Sequence, residues 1–353
     1  MRLSATSKWH RFPAWLGPRS LAAADGGRVT VLREGGCVIG LFPGGSQPNL
    51  RWTHPALASA AASRRLCRPV SWSNLGGDRT WLSPEVGFFH PPYRETTVYL
   101  QPRAFETGDY RADDRDPNVI RLTNAAVVAA HAAGKRIPRR ITKAVRLAAN
   151  PLGGACPRGV EYVGYSLEVT LKISAKAVAP PQFAIWNLLQ VPHGGERIIP
   201  TCASCRPTTF FGTIPAGDLR VTKRCISYQI RAAGEQKIAV PAVATTGRMA
   251  YLHRAGRSAT LVVRSFQPDP SGIYADFPVG RPAETGFAVQ SRNVDSHWGA
   301  FSEMEHHAPA IGGDTGLRRH RDVSQVWGFT GPREAIVEIT QALCGASGSG
   351  PGT

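Results

Sequence analysis

An alternation of polar and apolar side chains over residues 161–175 is the feature that most constrains how this chain can fold. Val163, Tyr165 and Leu167 fall on one side of an extended segment, whereas Ser166 and Glu168 fall on the other. Successive side chains of a β-strand point to opposite faces of its sheet. The segment therefore predicts a long strand that is buried on one face, and such a strand requires neighbouring strands.

Shorter strand-like runs, separated by turn residues, occur along most of the chain. They cover residues 28–32, 37–42, 96–100, 182–191, 225–231, 259–267, 286–293 and 298–306. The 37 glycines and 28 prolines among 353 residues suit turns and disfavour an architecture of long helices. Two stretches are predicted to be helical, the alanine-rich residues 124–133 and residues 332–344. The predicted fold class is all-β, with one large antiparallel domain and few short helices.

The predicted organisation has three parts: an irregular amino-terminal extension over residues 1–26, one domain over residues 27–344 and a flexible tail over residues 345–353. The extension is basic, but Pro13, Gly17 and Pro18 interrupt the apolar core that a secretory signal would need. No run of 18 apolar residues occurs, so no membrane span is predicted. These observations lead us to expect a cytoplasmic protein.

The excess of positive charge raises the question of a polyanionic partner. Lysine and arginine number 42 against 25 aspartates and glutamates, which gives a net charge of +17. We interpret the densest basic cluster as a solvated turn and helix face; its members are Lys135, Arg136, Arg139, Arg140, Lys143 and Arg146. Nucleic-acid binders usually add stacking aromatic residues or a known motif, which this cluster lacks. Binding to nucleic acid or another polyanion is therefore the third hypothesis for function.

The familiar cofactor and metal motifs do not occur in the sequence. Gly-Gly doublets stand without the rest of a phosphate-binding loop, and there is neither a GxSxG nor an HExxH segment. Cys202 and Cys205 are the one close pair among seven cysteines, and their Pro/Thr-rich surroundings are typical of reduced or locally bridged loop cysteines. We expect no cofactor and no metal ion.

Four segments combine aromatic, amide and charged residues near turns or strand ends: residues 74–85, 183–195, 301–309 and 322–329. Sugar sites need aromatic faces for the apolar side of a pyranose ring and polar side chains for its hydroxyls. The residues that suit this task are Arg79, Trp81, Trp186, Gln190, His193, Glu303 and Glu305. Glu303 and Glu305 would share one face of a strand. In the alternative interpretation, the tryptophans belong to the core and the charged residues form ion pairs.

Several of these segments resemble the galactose mutarotase (aldose 1-epimerase) superfamily, and more narrowly an uncharacterised bacterial branch of it. The resemblance is carried by Gly35-Gly36 with the following Gly40-Leu-Phe-Pro, by Leu75-Gly-Gly-Asp-Arg-Thr-Trp-Leu-Ser-Pro-Glu, by Trp186-Asn-Leu-Leu-Gln-Val-Pro and by Glu303-Met-Glu-His-His-Ala-Pro. It extends over residues 27–344 and implies a large antiparallel β-supersandwich with a sugar-sized cleft.

The resemblance also implies roles for individual residues. In mutarotases a glutamate near the carboxyl end is the general base and a histidine is the general acid, and no cofactor is used. Glu305 or its neighbour Glu303 is similar in position to that base, but the spacing is one residue out of register and the assignment stays open. Phe183 and Leu75 occupy the positions of two expected histidines, so His193 is the candidate acid and His90 a possible substitute.

The sequence therefore predicts a carbohydrate-binding protein. If the protein is an enzyme, the predicted activity is acid/base catalysis of the aldose epimerase type. The residues expected to contact the sugar are Asp78, Arg79, Trp81, Glu85, His90, Trp186, Gln190 and His306. Among these, Arg79 would steady the ring oxygen or a hydroxyl. A non-catalytic structural or interaction β-sandwich is the alternative. Neither the sugar nor the oligomeric state follows from the sequence.

Overall fold

Antiparallel pairing organises the protein into two large sheets. The computed structural model describes residues 12–44, 47–68, 73–90, 99–113 and 115–345. The strands in the described ranges are β1 (Pro18–Ala22), β2 (Arg28–Leu32), β3 (Val38–Phe42), β4 (Asp78–Ser83), β5 (Arg111–Asp113), β6 (Ile120–Ala130), β7 (Lys135–Leu147), β8 (Glu161–Ile173), β9 (Ala184–Pro192), β10 (Glu196–Pro200), β11 (Thr208–Phe211), β12 (Leu219–Val221), β13 (Cys225–Gln229), β14 (Gly234–Pro241), β15 (Arg248–Ala255), β16 (Ser258–Phe266), β17 (Phe287–Ser296), β18 (Gly299–His307) and β19 (Arg319–Pro332).

Helices are few and short. The α-helices of the described residues are α1 (Ala60–Leu66), α2 (Glu85–Phe89) and α3 (Arg333–Cys344), and 3-10 turns cover Ala14–Leu16, Glu34–Gly36, Pro55–Ala58, His131–Ala133 and Gly313–Thr315. Within the part of the chain that the structure describes, no helix has the length and apolarity to cross a membrane. This composition confirms the predicted all-β antiparallel class.

The strand order defines the two sheets. The first sheet has nine strands in the order β1-β2-β3-β4-β9-β18-β17-β14-β11, and the second has ten in the order β12-β13-β10-β15-β16-β19-β8-β7-β6-β5. Side chains from the facing surfaces form the main apolar core, as the layered packing of two sheets requires.

The alternating segment at residues 161–175 forms β8, as predicted. Val163, Tyr165 and Leu167 are buried, whereas Lys172 on the opposite face is exposed. The strand pairs with β7 on one side and β19 on the other. The predicted runs at residues 28–32, 37–42, 182–191, 225–231, 259–267, 286–293 and 298–306 also contain strands, whereas residues 96–98 of the run at 96–100 lie outside the described residues.

Of the two predicted helices, the one near the carboxyl end is confirmed. Ile336, Ile339 and Leu343 recur at helical spacing along α3, and all three are buried in a core cluster against the second sheet. The apolar face that the sequence predicts for this helix is therefore the face that packs against the sheet.

The helix predicted over residues 124–133 is wrong. The chain there continues β6 to Ala130 and then makes a 3-10 turn. Residues 120–130 pair one by one with β7, from Ile120 opposite Val145 to Ala130 opposite Lys135. Pairing within the sheet outweighs the helix propensity of alanine, which amounts to less than about 1 kcal/mol per residue.

The interpretation of the basic cluster as a helix face is wrong for the same reason. The cluster lies on β7, where alternation directs Arg139 and Lys143 into the protein. Lys143 Nζ donates to the carbonyl of Gly36 at 2.7 Å, and Arg139 donates to the carbonyl of Ala104 at 2.9 Å. Two of the six positive charges thus satisfy buried carbonyls.

Part of the amino-terminal extension predicted to be irregular is a strand. Residues 18–22 fall within the extension expected to be irregular, but they form β1 and pair with β2 from Pro18 opposite Leu32 to Ala22 opposite Arg28. The pairing covers the edge of β2 that would otherwise be without a neighbouring strand. Residues 1–11 and 346–353 lie outside the described residues, and the division into one domain with two terminal segments stays a prediction.

A buried polar cluster joins the two sheets. Asp78 of the first sheet forms an ion pair with Arg264 of the second and accepts a hydrogen bond of 2.6 Å from the hydroxyl of Tyr165. Arg51 donates to the same hydroxyl at 2.6 Å. Burial disfavours the charged form of Asp78, but Arg264 and Arg51 reverse this effect and leave the pKa of Asp78 below its usual value.

We predict that Asp78→Ala lowers the free energy of unfolding by about 3–5 kcal/mol, because it leaves Arg264 buried without its carboxylate. Arg281→Ala is the matched control, since it breaks an ion pair with Glu284 in which both side chains are 43% exposed. The control should change stability by less than about 1 kcal/mol. Urea denaturation of the three proteins measures the difference. Equal losses in both variants would contradict a role for the buried cluster in holding the sheets together.

Candidate functional site

A row of five side chains crosses the first sheet. Gln190 lies opposite Glu303, Glu303 opposite Arg292, Arg292 opposite Lys237, and Lys237 opposite Phe211. We call these five residues the cross-strand row. They come from β9, β18, β17, β14 and β11, so strand register alone brings them together.

The cross-strand row lies on the outer face of the first sheet. Ser291 and Ser302, which neighbour two members of the row in sequence, contact Arg197 of the second sheet. Because side chains alternate along a strand, Arg292 and Glu303 must point the other way.

A cleft of about 290 Å³ lies over the cross-strand row, near the lower end of the range for small-molecule sites. Charged and amide groups are accompanied by a large share of aromatic and aliphatic side chains. The lining residues are Arg79, Glu85, Val86, His90, Tyr99, Gln190, Phe210, Phe211, Lys237, Phe277, Val279, Arg292, Trp298, Phe301 and Glu303.

The Glu303 carboxylate lies at the centre of the floor. Its Oε1 accepts hydrogen bonds of 2.7 Å from Arg79 and 2.8 Å from Gln190, while Nη1 of Arg292 lies 3.7 Å from Oε2. Arg79 also forms an ion pair with Glu106 at 3.3 Å and lies over the ring of Trp81. Donors from three strands therefore hold this carboxylate in one orientation.

Lys237 connects the floor to the wall of the cleft. Its Nζ lies 3.4 Å from Glu85 and 3.2 Å from Glu305, above the ring of Trp186. Burial disfavours the ammonium ion, but Glu305 and Glu85 reverse this effect and raise the pKa of Lys237. Burial likewise opposes the charge of Glu85, and Lys237 and Arg292 nevertheless lower its pKa. Lys237 and Glu85 therefore both carry charge at neutral pH.

Glu305 lies beneath the cleft. It is fully buried, is not among the lining residues, and accepts a hydrogen bond of 2.8 Å from Nε1 of Trp186. Burial raises the pKa of Glu305 to about 7; Lys237 lowers it and Glu303 raises it further. Of the two glutamates left open by the sequence, Glu303 is the one that lines the cleft.

The wall beside α2 is fixed by hydrogen bonds. The hydroxyl of Tyr99 donates to Glu85 at 3.2 Å, and the ring of Tyr99 packs edge-on against His90. Asp276 accepts a hydrogen bond of 2.8 Å from the backbone N–H of Glu85 and another of 2.7 Å from Gln290, which is fully buried and pairs with Glu305 beneath the cleft. The segment that follows Asp276 supplies Phe277 and Val279 to the cleft lining, so this carboxylate connects the segment to α2 and to β17.

Most of the predicted site residues lie at the cleft or directly beneath it. Arg79, Glu85, His90, Gln190 and Glu303 line the cleft. Trp81 and Trp186 lie below them, where both indoles are buried and donate to Glu106 and Glu305 respectively. The structure thus brings the first five residues to one cleft and places the tryptophans beneath it, and their contact with a sugar stays a prediction.

Asp78 and His306 face away from the cleft, contrary to the expectation that they contact a sugar. Asp78 belongs to the cluster between the sheets, and His306 lies 2.9 Å from Asp322 and 3.1 Å from Arg264 there. Strand alternation explains both placements, since each residue neighbours a cleft-facing side chain.

His193, expected to be the acid, is not among the lining residues of the cleft. Gln190 lies opposite Glu303 in the register, and His193 follows Gln190 by three residues, about 10 Å along an extended chain. His307 is nearer, stacked on Trp186, but burial, Lys237 and His306 lower its pKa well below the usual value. His90 is the histidine that lines the cleft.

Several lining residues were missed by the sequence analysis: Val86, Tyr99, Phe210, Phe211, Lys237, Phe277, Val279, Arg292, Trp298 and Phe301. Arg292 lies in a segment correctly predicted as a strand, but only the pairing register shows that it faces Glu303. The sequence around Lys237 contains no motif that would indicate a ligand-binding site.

Within the ranges that the structure describes, no three His, Cys, Asp or Glu side chains are arranged to hold a metal ion. All seven cysteines are free thiols, so Cys202 and Cys205 are not bridged. The absence of a cofactor stays a prediction.

Comparison with known families gives one match. A family model described as "Family of unknown function (DUF6786)" matches residues 70–349, which include the floor of the cleft. No curated protein matches the chain.

Solved structures similar to this one include relatives of sugar epimerases. A candidate aldose 1-epimerase from Escherichia coli K12 has 12% identity and a TM-score of 0.46, over 90% of this chain and 100% of that one. A homologue of GalM/aldose epimerase from C. elegans has 9% identity and a TM-score of 0.45, over 90% and 99%. Galactose 1-epimerase from Lactobacillus acidophilus NCFM has 9% identity and a TM-score of 0.38, over 88% and 93%.

At identities of 12% and below, the activity of this chain has to be argued from its own side chains.

We predict that Glu305 makes stability depend on pH. Its pKa rises from 4.5 to about 7 on folding, so the folded protein binds more protons between these values. The stabilisation is complete below pH 4.5 and is lost as the pH rises to 7, a decline of about 3 kcal/mol. Urea denaturation from about pH 5 to about pH 8 should show a larger decline in the wild type than in Glu305→Gln, which keeps Glu106 and Asp276, two carboxyls whose pKa burial also raises.

Glu338→Gln, on the exposed face of α3, is the control and should retain the wild-type dependence. Parallel curves for the wild type and Glu305→Gln would show that Glu305 does not titrate in this range.

Proposed function

We propose that this chain, which belongs to the family of unknown function DUF6786, binds a carbohydrate in the cleft over the cross-strand row. The observation that carries the proposal is the division of the cleft into a polar floor and aromatic walls. The floor presents Gln190, Glu303 and Arg292, and the walls present Phe210 and Phe277.

This division suits the chemistry of a pyranose. Its ring carries hydroxyls that both donate and accept hydrogen bonds, and its faces carry C–H groups that pack against aromatic rings. A fixed carboxylate accepts from two hydroxyls, and a guanidinium donates to the ring oxygen or to another hydroxyl. Glu303 and Arg79 are already held in place by each other, so the floor is preorganised for a ligand.

The sequence resemblance to the mutarotases supports the same class of ligand. The three resembling segments that supply the floor contain Arg79, Gln190 and Glu303. The polyanion hypothesis receives less support, because Arg139 and Lys143 of the basic cluster are buried.

The second candidate function is interconversion of sugar anomers, which the presence of Glu303 and His90 in one cleft favours. Glu303 would take the proton of the anomeric hydroxyl while protonated His90 gives a proton to the ring oxygen. The C1–O5 bond then breaks and C1 becomes an aldehyde carbon. Rotation about C1–C2 followed by the reverse step gives the other anomer, and both protons return to their donors.

We predict that at least one sugar of an aldose and disaccharide panel stabilises the protein against heat. A ligand at one hundred times its Kd adds about 2.7 kcal/mol. For that sugar, Glu303→Gln should weaken binding about 10- to 100-fold in calorimetry, because a charged hydrogen-bond acceptor is lost. His193→Ala, outside the cleft lining, is the matched control and should bind as the wild type does. No stabilisation by any sugar in the panel would contradict the proposal.

The enzymatic candidate predicts that the protein accelerates anomer equilibration of the bound aldose in polarimetry. Glu303→Gln should reduce the rate about 100- to 10,000-fold, the usual contribution of a general base. His90→Gln should also reduce it, whereas His193→Ala should not. Binding without acceleration would reject catalysis and leave a non-catalytic carbohydrate-binding protein.

A further inference from the structure

A continuous strip of side chains runs along the mouth of the cleft. It consists of Trp298, Ser296, Glu235, Arg292 and Phe211, and we call it the rim strip. The backbone N–H of Trp298 donates to Ser296 Oγ at 3.3 Å, and Ser296 Oγ donates to Glu235 at 3.2 Å. Glu235 forms an ion pair with Arg292, whose guanidinium lies 5.8 Å from the ring centre of Phe211.

The rim strip is exposed, in contrast to the floor of the cleft. Phe211 and Trp298 are 39% and 36% exposed, and the side chains of Arg292 and Glu235 are 21% and 25% exposed. Gln190 on the floor is fully buried. Exposed aromatic residues next to a small-molecule cleft are a feature of binding surfaces.

The fold holds Trp298 in its position at the mouth. The residue lies in the tight turn between β17 and β18, directly before Gly299. Gly299 has a φ of 125°, which favours glycine, and a Cβ at this position would come within 2.9 Å of the ring of Trp52. Trp52 in turn packs on Phe301 of the cleft, with ring centres 4.6 Å apart.

Arg292 belongs to both the rim strip and the floor. One nitrogen of its guanidinium pairs with Glu235 of the strip, and the other lies 3.7 Å from Glu303. A ligand seated over Glu303 therefore has the rim strip directly beside it.

We propose that the rim strip is a second saccharide subsite, so that the preferred ligand is a glycan of two or more rings. This inference rests on the carbohydrate-binding function proposed above. Phe211, Arg292 and Trp298 of the strip also line the cleft of about 290 Å³, so the space over Glu303 continues over the strip. The adjoining ring would pack against Trp298 and Phe211, and its hydroxyls would bond to the Glu235–Arg292 pair.

Isothermal titration calorimetry with paired probes tests the inference: galactose with lactose, and glucose with maltose and cellobiose. At least one disaccharide should bind about 3- to 10-fold more tightly than its monosaccharide, the value of one aromatic contact. Trp298→Ala should remove this gain, so that the disaccharide and its monosaccharide bind with about equal affinity, while Trp298→Phe should retain most of it.

Leu317→Ala, which truncates a 52% exposed apolar side chain that is not among the cleft-lining residues, is the matched control and should change neither affinity. Equal affinities for one and two rings, with Trp298→Ala without effect, would overturn the subsite and leave the proposed function intact. If neither class of sugar binds the wild type, the proposed function and the subsite are both wrong.

Discussion

The buried ion pair between Arg79 and Glu303 is the interaction on which the cleft depends. It joins β4 to β18 across β9, with Nη2 of Arg79 2.7 Å from Oε1 of Glu303 and both side chains almost inaccessible. Removing two charges from water is costly, and the gain repays the cost only when further hydrogen bonds complete the geometry. Gln190 supplies one to Glu303, and Glu106 and Asn74 supply acceptors to Arg79. The result is a carboxylate already oriented for a ligand.

Strand alternation lets the same two strands serve two purposes. On β18, Glu303 and Glu305 face the cleft side of the first sheet, whereas His306 enters the cluster between the sheets. On β4, Asp78 and Arg79 divide in the same way. The residues that bind the two sheets together are thus sequence neighbours of those that form the floor, so a loss of sheet packing would also displace the site. Proposed function and fold stability are coupled through these neighbours.

Much of the fold could be predicted, but only a third of the cleft lining, five of its 15 residues, because only local patterns are visible in the sequence. The period of two over residues 161–173 and the helical spacing in α3 are local patterns, and both predictions are confirmed. The alanine-rich β6 shows the opposite, because pairing with β7 is not visible in its own composition. Arg292 and Lys237 were missed because register, set between strands distant in sequence, brings them to Glu303. His193 was chosen by its place after the Trp186 segment, and that place does not show whether a side chain lines the cleft.

The central claim is that a sugar ring binds on the cross-strand row. A crystal structure of the protein with the disaccharide that stabilises it most would test this claim most directly. The account predicts one ring within hydrogen-bond distance of Glu303 and Arg79, with the second ring stacked on Trp298. An unoccupied cleft with the sugar bound elsewhere on the protein would contradict it.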